Sequence, residues 1–201
     1  MSDTNDRRMP ASSPQRTGDG RQPGDLSPRQ IVERILRVDQ AGEYGAIRIY
    51  AGQQAVLRRR LPPGHKARQA VEHMARQEQR HKQAFDALLI ERRVRPTLLQ
   101  PLWHVAGFAL GAASAMLGEK AAMACTVAVE EVIDEHYANQ AAILGDDEKP
   151  LRDAIEQFRS EELEHRDEAL GLGAEQAPAY PLLSSGIKTA SRLAIWLSTR
   201  I

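Results

Sequence analysis

The chain has 201 residues, which is enough for one domain with a substantial apolar core and little more. Its 27 lysine and arginine residues are balanced by 27 aspartate and glutamate residues, so it has no net charge with which to attract nucleic acid. It contains a single cysteine, Cys125. One cysteine excludes an internal disulfide framework and any cysteine-based zinc or iron–sulfur site, and it is typical of a reducing compartment.

The first 27 residues are rich in serine, proline, glycine, arginine and aspartate and contain no apolar run. They lack the hydrophobic region of a signal peptide, and they cannot bury enough apolar surface to fold. We therefore predict a disordered tail over residues 1–27, whose aspartates argue against an arginine-rich transit peptide. Ser27 and Pro28 have the pattern of a helix cap followed by proline at the first helical position, so the folded domain is predicted at 28–201.

After residue 27 the chain consists of long segments with helical periodicity, separated by short breakers such as a Leu-Pro-Pro-Gly sequence. No run of alternating β-branched residues is present, so the fold class is predicted to be all-α. The predicted segments, in order, are helices at 28–60 and 66–93, a weakly polar stretch at 98–118, helices at about 118–144 and 149–171, and an amphipathic segment at 183–201.

Four of these helices carry an apolar stripe at spacings of three and four residues, and each stripe is interrupted by a carboxylate. On the second helix, for example, Glu78 and His81 stand between Met74 and Phe85. The fourth helix contains a second Glu-x-x-His pair, and the first and third helices each contain a lone glutamate. The residues that interrupt the four stripes are Glu43, Glu78, His81, Glu130, Glu162 and His165.

The inward position on the third helix could be occupied by either of two adjacent glutamates, Glu130 and Glu131. The stripe through Glu130 also contains Val127 and Ile133, whereas the stripe through Glu131 is more polar and contains Glu135. Periodicity therefore favours Glu130.

These buried carboxylates need a compensating positive charge, because an ionised carboxylate in an apolar interior is strongly unfavourable. The stripes contain no lysine or arginine, whereas two metal ions would provide the charge. A Glu and a His three residues apart lie on one helix face, so both can reach an ion. One Glu from each of two helices and Glu-x-x-His from each of two others form the ligand set of di-iron and di-manganese bundles. Donors without sulfur favour iron or manganese over structural zinc, and we predict a pair of iron ions.

The order of the candidate ligands repeats along the chain. Glu43 precedes Glu78 by 35 residues, and Glu130 precedes Glu162 by 32 residues. Each half therefore supplies a helix with a lone glutamate and then a helix with Glu-x-x-His. Two such hairpins can enclose a two-metal centre with approximate two-fold symmetry. The pattern predicts a ferritin-like four-helix bundle, to which the weakly polar stretch and the C-terminal segment add apolar and amphipathic helices.

Further residues lie beside the stripes. Tyr137 is either a core residue or, together with His136, a carrier of protons or electrons to the metal pair, and both interpretations stay open. His65 and His73 are predicted to be exposed, and His104 to lie at an interface. Charged helix residues are usually solvated, and this is predicted for Glu72, Glu91, Glu119, Glu131, Glu135, Glu148, Glu156, Glu161, Glu164 and Glu168.

Several segments closely resemble the demethoxyubiquinone hydroxylases of ubiquinone biosynthesis. They are residues 37–46 (RVDQAGEYGA), 119–131 (EKAAMACTVAVEE), 161–165 (EELEH), 177–180 (APAY) and 195–198 (IWLS). The resemblance extends to the C-terminus and shows no departure at a candidate ligand. It implies a flavin-independent di-iron monooxygenase that hydroxylates the ring of 2-polyprenyl-3-methyl-6-methoxybenzoquinol in the penultimate step to ubiquinone. Such an enzyme uses dioxygen and NADH or another electron donor.

A polyprenyl quinol resides in the bilayer, so the resemblance also implies contact with a membrane surface. The apolar stretch at 102–118 is short for a full span. The C-terminal segment combines Trp196 with Lys188, Arg192 and Arg200, which is typical of an interfacial helix. We predict a peripheral protein on the cytoplasmic face of a bacterial membrane or the matrix face of a mitochondrial one. A homo-oligomer or a ubiquinone-biosynthesis complex is the expected assembly. The alternative is that both stretches are core or dimer-contact helices.

Three other functions share parts of this ligand pattern. A ferritin-type iron store has the same layout but requires a hollow cage, whereas this chain has membrane-seeking segments. A peroxide-reducing, rubrerythrin-like enzyme usually carries an additional cysteine-bound iron, which a single cysteine cannot form. A manganese catalase is the third alternative.

Overall fold

The computed structural model describes residues 24–201. The first 23 residues, which make up most of the predicted tail, lie outside the described part, and the domain division at residue 27 stays a prediction. Residues 24–201 form helices without a strand, so the all-α prediction is confirmed. The helices are α1 (Pro28–Arg60), α2 (Lys66–Arg92), α3 (Gln100–Met116), α4 (Glu119–Ile143), α5 (Lys149–Gly171) and α6 (Tyr180–Ser198), with 3₁₀ turns at Asp146–Glu148 and Ala174–Gln176.

The first helix begins at the predicted residue because Ser27 caps it. Ser27 Oγ accepts a hydrogen bond from the Gln30 N–H at 3.3 Å, and the Gln30 side chain accepts one from the Ser27 N–H at 2.9 Å. This reciprocal pair satisfies N–H groups that have no partner within the helix. Pro28, at the first helical position, has no N–H to satisfy.

Several helix ends differ from the prediction by one to three residues, and two of these differences have a clear physical cause. Helix α6 begins at Tyr180 rather than at 183, because Pro181 lies in its first turn, where a missing N–H costs no hydrogen bond. Helix α2 ends at Arg92 rather than at Arg93. Arg93 adopts a left-handed backbone with φ of 56°, and its N–H bonds to the Ile90 carbonyl, which closes the helix.

Two helical hairpins form the bundle: α1 pairs with α2, and α4 pairs with α5. Helix α2 packs against α5 and α1 contacts α4, which closes the four helices around a common core. The remaining helices cover the outside, with α3 against α1 and α6 against α4. This is the predicted ferritin-like arrangement, in which α3 and α6 are the additional helices.

Helices α3 and α6 expose large apolar side chains. Within residues 24–201, no helix has the length and apolar character needed to span a bilayer. The start of α3 meets the end of α6, where Trp103 Nε1–H donates a hydrogen bond to Ser198 Oγ at 2.9 Å. The two exposed faces are therefore adjacent, and together we call them the α3–α6 apolar surface: Leu102, Val105, Phe108, Met116, Leu182, Leu193 and Trp196.

Two cations of α6 that were predicted to meet lipid are paired with α4 instead. Lys188 forms an ion pair with Glu131, and Arg192 forms one with Glu135 at 3.0 Å. The Arg200 guanidinium lies 4.1 Å from the centre of the Trp196 ring, in cation–π geometry. Arg200, two residues beyond the end of α6, thus accompanies the apolar surface, while Lys188 and Arg192 attach α6 to the bundle.

Helices α1 and α3 approach so closely that glycine is required at their contact. A Cβ atom at Gly52 would lie 2.2 Å from the Phe108 carbonyl oxygen, and one at Gly111 would lie 1.9 Å from the Ile49 carbonyl oxygen. Both obstacles are helix backbone, which cannot rotate aside as a side chain could. Direct backbone contact therefore fixes α3 on the outer face of α1.

The first prediction concerns this contact. Gly52→Ala should destabilise the protein by ~3 kcal/mol or more, because the added methyl group forces two helices apart. For a chain of this size the melting temperature should fall by about 6–12 °C. Gly45→Ala on the same helix is the matched control, since a Cβ there would have no atom within 4 Å. The control should melt at or slightly above the wild-type temperature. Equal melting of the two variants would show that the close approach is absent in solution.

Candidate metal centre

The structure brings the six predicted side chains together in the middle of the bundle, and all six are buried. They form two overlapping groups, within each of which one potential ligand atom per residue lies within 4.8 Å of the others. Glu78 and Glu162 belong to both groups. The first group is Glu43, Glu78, His81 and Glu162, and the second is Glu78, Glu130, Glu162 and His165.

The positions of these residues follow from the helices that carry them. Glu78 and His81 are one turn apart on α2, so both side chains leave the same face of the helix. The same spacing places Glu162 and His165 on one face of α5. The two Glu-x-x-His glutamates lie between the groups, and each lone glutamate lies at one end. Such an arrangement suits two ions, with Glu78 and Glu162 between them.

The two histidines are oriented by partners on their outer side. His81 Nε2–H donates a hydrogen bond to Glu161 Oε2 at 2.9 Å, and His165 Nε2–H donates one to Gln77 Oε1 at 2.9 Å. These outer hydrogen bonds orient each imidazole ring so that Nδ1 faces inward. His81 Nδ1, for example, lies 3.0 Å from Glu162 Oε1. The inward nitrogens are therefore available as metal ligands, as in metal sites whose histidines donate their other N–H to an oxygen.

Glu161 was predicted to be solvated, and this prediction is wrong. Its side chain is 22% exposed and is hydrogen-bonded to His81. Gln77, the corresponding partner of His165, is buried and was not singled out in the sequence. The signal that could have identified both is their position, because each immediately precedes the glutamate of a Glu-x-x-His pair.

Two buried tyrosines hold the lone glutamates. Tyr50 Oη donates a hydrogen bond to Glu130 Oε1 at 2.9 Å, and Tyr137 Oη donates one to Glu43 Oε1. Each bond crosses between α1 and α4. Each tyrosine also lies seven residues after the lone glutamate of its own helix. From the sequence, Tyr50 was placed on the apolar stripe of the first helix, but only Tyr137 was named as a candidate functional residue, although the spacing is the same.

His136 lies away from the six clustered residues, on a polar network that reaches the surface. Its Nε2 accepts a hydrogen bond from Gln140 Nε2 at 2.8 Å and lies 3.4 Å from Asp39 Oδ1. Gln140 Nε2 also donates to Asp39 Oδ1 at 2.7 Å. Asp39 is buried, and its Oδ2 has no hydrogen-bond partner. Asp39 was not identified from the sequence. It lies four residues before Glu43, but only the apolar stripe of this helix was followed there.

Burial and repulsion control the protonation of the cluster. Burial, followed by repulsion from Glu162, raises the pKa of Glu78 and of Glu130 well above the usual range. Burial also raises the pKa of Glu162, but hydrogen bonds from His165 and His81 outweigh it and lower that pKa to about 2. Burial lowers the pKa of His81, yet its hydrogen bond to Glu162 and the nearby Glu43 carboxylate raise it to about 11. Burial and mutual repulsion thus disfavour the simultaneous ionisation of all four carboxylates.

The donor set fits a pair of metal ions. Two carboxylate oxygens in the cluster, Glu43 Oε2 and Glu78 Oε1, are buried without a hydrogen-bond partner. Buried carboxylates left in that state are rare unless a cation satisfies them. No lysine or arginine occurs among the buried residues of 24–201, so within this part of the chain only the two histidines can carry positive charge in the cluster, and two imidazoles cannot balance four carboxylates. Four carboxylates and two inward-facing imidazole nitrogens match the needs of two iron or manganese ions.

Of the two adjacent glutamates of α4, only Glu130 belongs to the buried cluster. Glu130 is 3% exposed and lies in the cluster, whereas the Glu131 side chain is 37% exposed and pairs with Lys188. Periodicity alone was a narrow basis for the choice, because residues 121–130 are buried on every face of α4. The surrounding helices α1, α3, α5 and α6 account for that burial.

An apolar pocket with a volume of about 90 Å³ lies between α1, α3, α4 and α6. Two of its lining residues, Gly42 and Val129, are the sequence neighbours of Glu43 and Glu130. Its far side is formed by Trp103 and by α6. The pocket therefore lies between the two lone glutamates and the α3–α6 apolar surface, and its other lining residues are Val38, Ala41, Ala46, Ile49, Ile133, Ser191, Ala194, Ile195 and Ser198.

The second prediction concerns the metal-free protein. Glu78 has a raised pKa in the folded state, so the folded state binds more protons than the unfolded chain and the free energy of unfolding falls as pH rises from about 5 to 8. Glu78→Gln removes this buried acid. It should stabilise the metal-free protein at pH 8 by ~1–4 kcal/mol while weakening metal binding.

Scanning calorimetry of chelator-treated protein at pH 5 and pH 8 measures the stability. Calorimetric titration of the same protein with metal measures the affinity. Glu91→Gln, at an exposed position of the same helix, is the control and should change neither quantity. A metal-free Glu78→Gln protein that melts below the wild type at pH 8 would contradict the buried-charge argument.

Comparison with known proteins identifies the family. Residues 30–198 match the family described as ubiquinone biosynthesis protein COQ7. The chain is 58% identical over 190 residues to the 3-demethoxyubiquinol 3-hydroxylase of Rhodospirillum rubrum, covering 94% of this chain and 88% of that protein. It is 51% identical over 178 residues to the NADPH-dependent 3-demethoxyubiquinone 3-hydroxylase, mitochondrial, of Homo sapiens, covering 86% and 79%. It is 43% identical over 186 residues to the 5-demethoxyubiquinone hydroxylase, mitochondrial, of Saccharomyces cerevisiae, covering 85% and 78%. The resemblance seen in the sequence is thereby confirmed, and the chain belongs to the COQ7 family of ubiquinone biosynthesis proteins.

Proposed function

We propose that this protein is a di-iron monooxygenase that hydroxylates the ring of a demethoxy-polyprenyl-benzoquinol in the penultimate step of ubiquinone biosynthesis. The observation that carries the proposal is the pair of overlapping buried Glu and His groups inside a chain of this family. The names of the relatives supply the substrate and the hydroxylation. The names of several relatives also include NADPH dependence, which supports a nicotinamide nucleotide as the source of electrons.

The six residues have distinct roles as iron ligands in this proposal. Glu43 and His81 would help to hold one ion, and Glu130 and His165 would help to hold the other. Glu78 and Glu162 would contribute to both positions, because they are the members common to both groups. Carboxylate and imidazole ligands without sulfur would suit iron. When bound, the iron pair supplies the activation of dioxygen and the storage of electrons for the hydroxylation.

Tyr50 and Tyr137 position the ligands and handle protons. Each hydroxyl donates to the carboxylate of a lone glutamate, so it holds that carboxylate toward the cluster and can pass it a proton. The Tyr137 hydroxyl, on α4, donates its hydrogen bond to the Glu43 carboxylate on α1. His136, whose side chain is 20% exposed, leads from the surface to buried Asp39, one turn of α1 away from Glu43. Tyr137 and His136 are proposed as the relay that exchanges protons and electrons with the cluster.

The apolar pocket is proposed to hold the quinol ring. Its lining is almost entirely apolar, which suits a quinol ring and keeps water away from the reacting carbon. Because the pocket is smaller than a substituted ring, the lining side chains have to move apart to admit one. The side with Trp103 and Ser198 adjoins the α3–α6 apolar surface. A prenyl tail can leave the pocket there and remain in lipid, while the ring reaches the side of the cluster formed by Glu43 and Glu130.

The α3–α6 apolar surface is proposed to lie against a membrane. Leu102, Val105, Leu193 and Trp196 are each more than half exposed, and exposed apolar side chains on neighbouring helices are typical of a surface that binds a partner or a membrane. Trp196 stacked under Arg200 suits the headgroup level, where an aromatic ring and a cation are both favourable. The attachment is peripheral, on the cytoplasmic face of a bacterial membrane or on the matrix face of a mitochondrial one.

The third prediction tests the chemistry. Protein reconstituted anaerobically with Fe²⁺ should bind about two irons per chain. It should incorporate one oxygen atom from labelled dioxygen into a short-tailed demethoxyquinol, as measured by mass spectrometry. Removal of a residue that hydrogen-bonds to a metal ligand typically lowers metal affinity by ~10–100-fold. Removal of a ligand itself should lower it further. Glu130→Ala should therefore lose iron and turnover, and Glu131→Ala should keep most of both.

Manganese reconstitution provides the comparison for metal identity, because the ligand pattern is also that of di-manganese proteins. Label in the product with iron and none with manganese is the expected result. Iron uptake without labelled product would contradict the proposed reaction, and the reverse ranking of Glu130 and Glu131 would contradict the ligand assignment.

The fourth prediction tests the membrane surface. Leu193→Glu with Trp196→Glu should weaken binding to anionic liposomes at least tenfold, since each buried apolar side chain contributes about 1.5–3 kcal/mol. Co-sedimentation measures this effect. Ile90→Glu with Ile143→Glu adds the same charges at residues that are 79% and 62% exposed on α2 and α4, and should leave binding unchanged.

Iron content and turnover of a short-tailed quinol should be preserved in both double variants. Unchanged liposome binding in the α6 variant would refute the membrane role of α6. Loss of iron in that variant would show instead that α6 supports the bundle core.

A further inference from the structure

The two histidines of the cluster have partners of different charge in the same geometry. His81 Nε2–H donates to the Glu161 carboxylate and His165 Nε2–H donates to the Gln77 amide oxygen, both at 2.9 Å. Each partner comes from the opposite hairpin. Each also stands immediately before the glutamate of that hairpin's Glu-x-x-His pair. Gln77 and Glu161 therefore occupy equivalent positions of the approximate two-fold symmetry, and they differ by one negative charge.

The surroundings of Glu161 hold its carboxylate in place. Gln157 Nε2–H donates to Glu161 Oε1 at 3.2 Å, and Gln77 Nε2–H donates to Glu161 Oε2 at 3.4 Å. The Arg80 guanidinium lies 3.8 Å from the same Oε2. The two partners of the histidines are thus joined to each other, and they form one chain of contacts along the α2–α5 side of the cluster: His81, Glu161, Gln77 and His165.

Most other features of the two metal positions are matched. Each position has one lone glutamate, one histidine and a share of both bridging glutamates. Each lone glutamate accepts a hydrogen bond from a tyrosine. A carboxylate that accepts the outer N–H of an imidazole makes the inward nitrogen a stronger donor and adds negative charge near the ion, whereas an amide does so only weakly.

We propose that Glu161 and Gln77 make the two metal positions unequal, so that the ion held by Glu43 and His81 binds first and more tightly than the ion held by Glu130 and His165. The inference rests on the proposed function, because it takes the cluster to be a two-metal centre. Glu161 and Gln77 are positioning residues in this proposal, since each acts on an ion through a histidine.

Calorimetric titration of the metal-free protein with Co²⁺ tests the proposal without any assay of turnover. The wild type should bind two ions in two resolved steps. Glu161→Gln keeps an oxygen that can accept the His81 N–H and removes only the charge, so it should weaken the first step by about 10–100-fold and leave the second step unchanged. Glu164→Gln removes the same charge at an exposed position of α5 and should change neither step.

An exchange of the two partners assigns the steps to positions. In the wild type, His165→Ala should abolish the weaker step. In the double variant Glu161→Gln with Gln77→Glu, the order of affinity should invert, so that adding His165→Ala abolishes the tighter step. The ⁵⁷Fe²⁺-loaded wild type should show two Mössbauer quadrupole doublets, and the splitting of one of them should change in Glu161→Gln.

Distinct results separate the failure of this inference from the failure of the proposed function. Two ions bound with a single affinity in the wild type would overturn the inference and leave the two-metal centre standing. An equal loss in both steps for Glu161→Gln, or the same loss for Glu164→Gln, would also overturn it. No binding of Co²⁺ or Fe²⁺ by the wild type would overturn the proposed function and the inference together.

Discussion

Repulsion among four glutamates enclosed in an apolar bundle is the constraint on which the rest of the molecule depends. Glu43, Glu78, Glu130 and Glu162 are all nearly inaccessible to water, and no lysine or arginine is buried within residues 24–201. Such a group can exist only if protons or metal ions neutralise it. Long helices meet the other requirement, because they hold each carboxylate rigidly from a backbone whose own hydrogen bonds are satisfied. The tyrosines, the outer partners of the histidines and the covering helices α3 and α6 all support this enclosed charge.

The bundle and its central cluster could be predicted because their signals are local in the chain. Apolar spacing and proline or glycine breakers placed the helices to within about three residues, as the capped start at Ser27 illustrates. The six clustered residues were found because a polar residue at an apolar position is conspicuous. The spacing of three residues in Glu78 and His81, and again in Glu162 and His165, then specified which groups share a helix face.

Features that depend on contacts between helices could not be predicted in this way. Glu161 looks like surface on its own helix, and its contact with His81 exists only because α2 packs against α5. Similarly, Lys188 looked suited to lipid, yet it pairs with Glu131 because α6 lies against α4. The need for glycine at positions 52 and 111 follows from the distance between α1 and α3, which no single helix reveals. Each of these features requires knowledge of the neighbouring helix.

The two halves of the chain repeat the same order of helices. The first half runs from a helix with a lone glutamate (α1), through one with Glu-x-x-His (α2), to a covering helix that lies on the first (α3). The second half repeats this order in α4, α5 and α6. The tyrosine seven residues after each lone glutamate extends the correspondence to residues outside the ligand set. The molecule thus consists of two three-helix repeats, each of which supplies half of the clustered residues. Because both repeats belong to one chain, equivalent positions such as Gln77 and Glu161 can hold different residues, which two identical subunits of a homodimer cannot do.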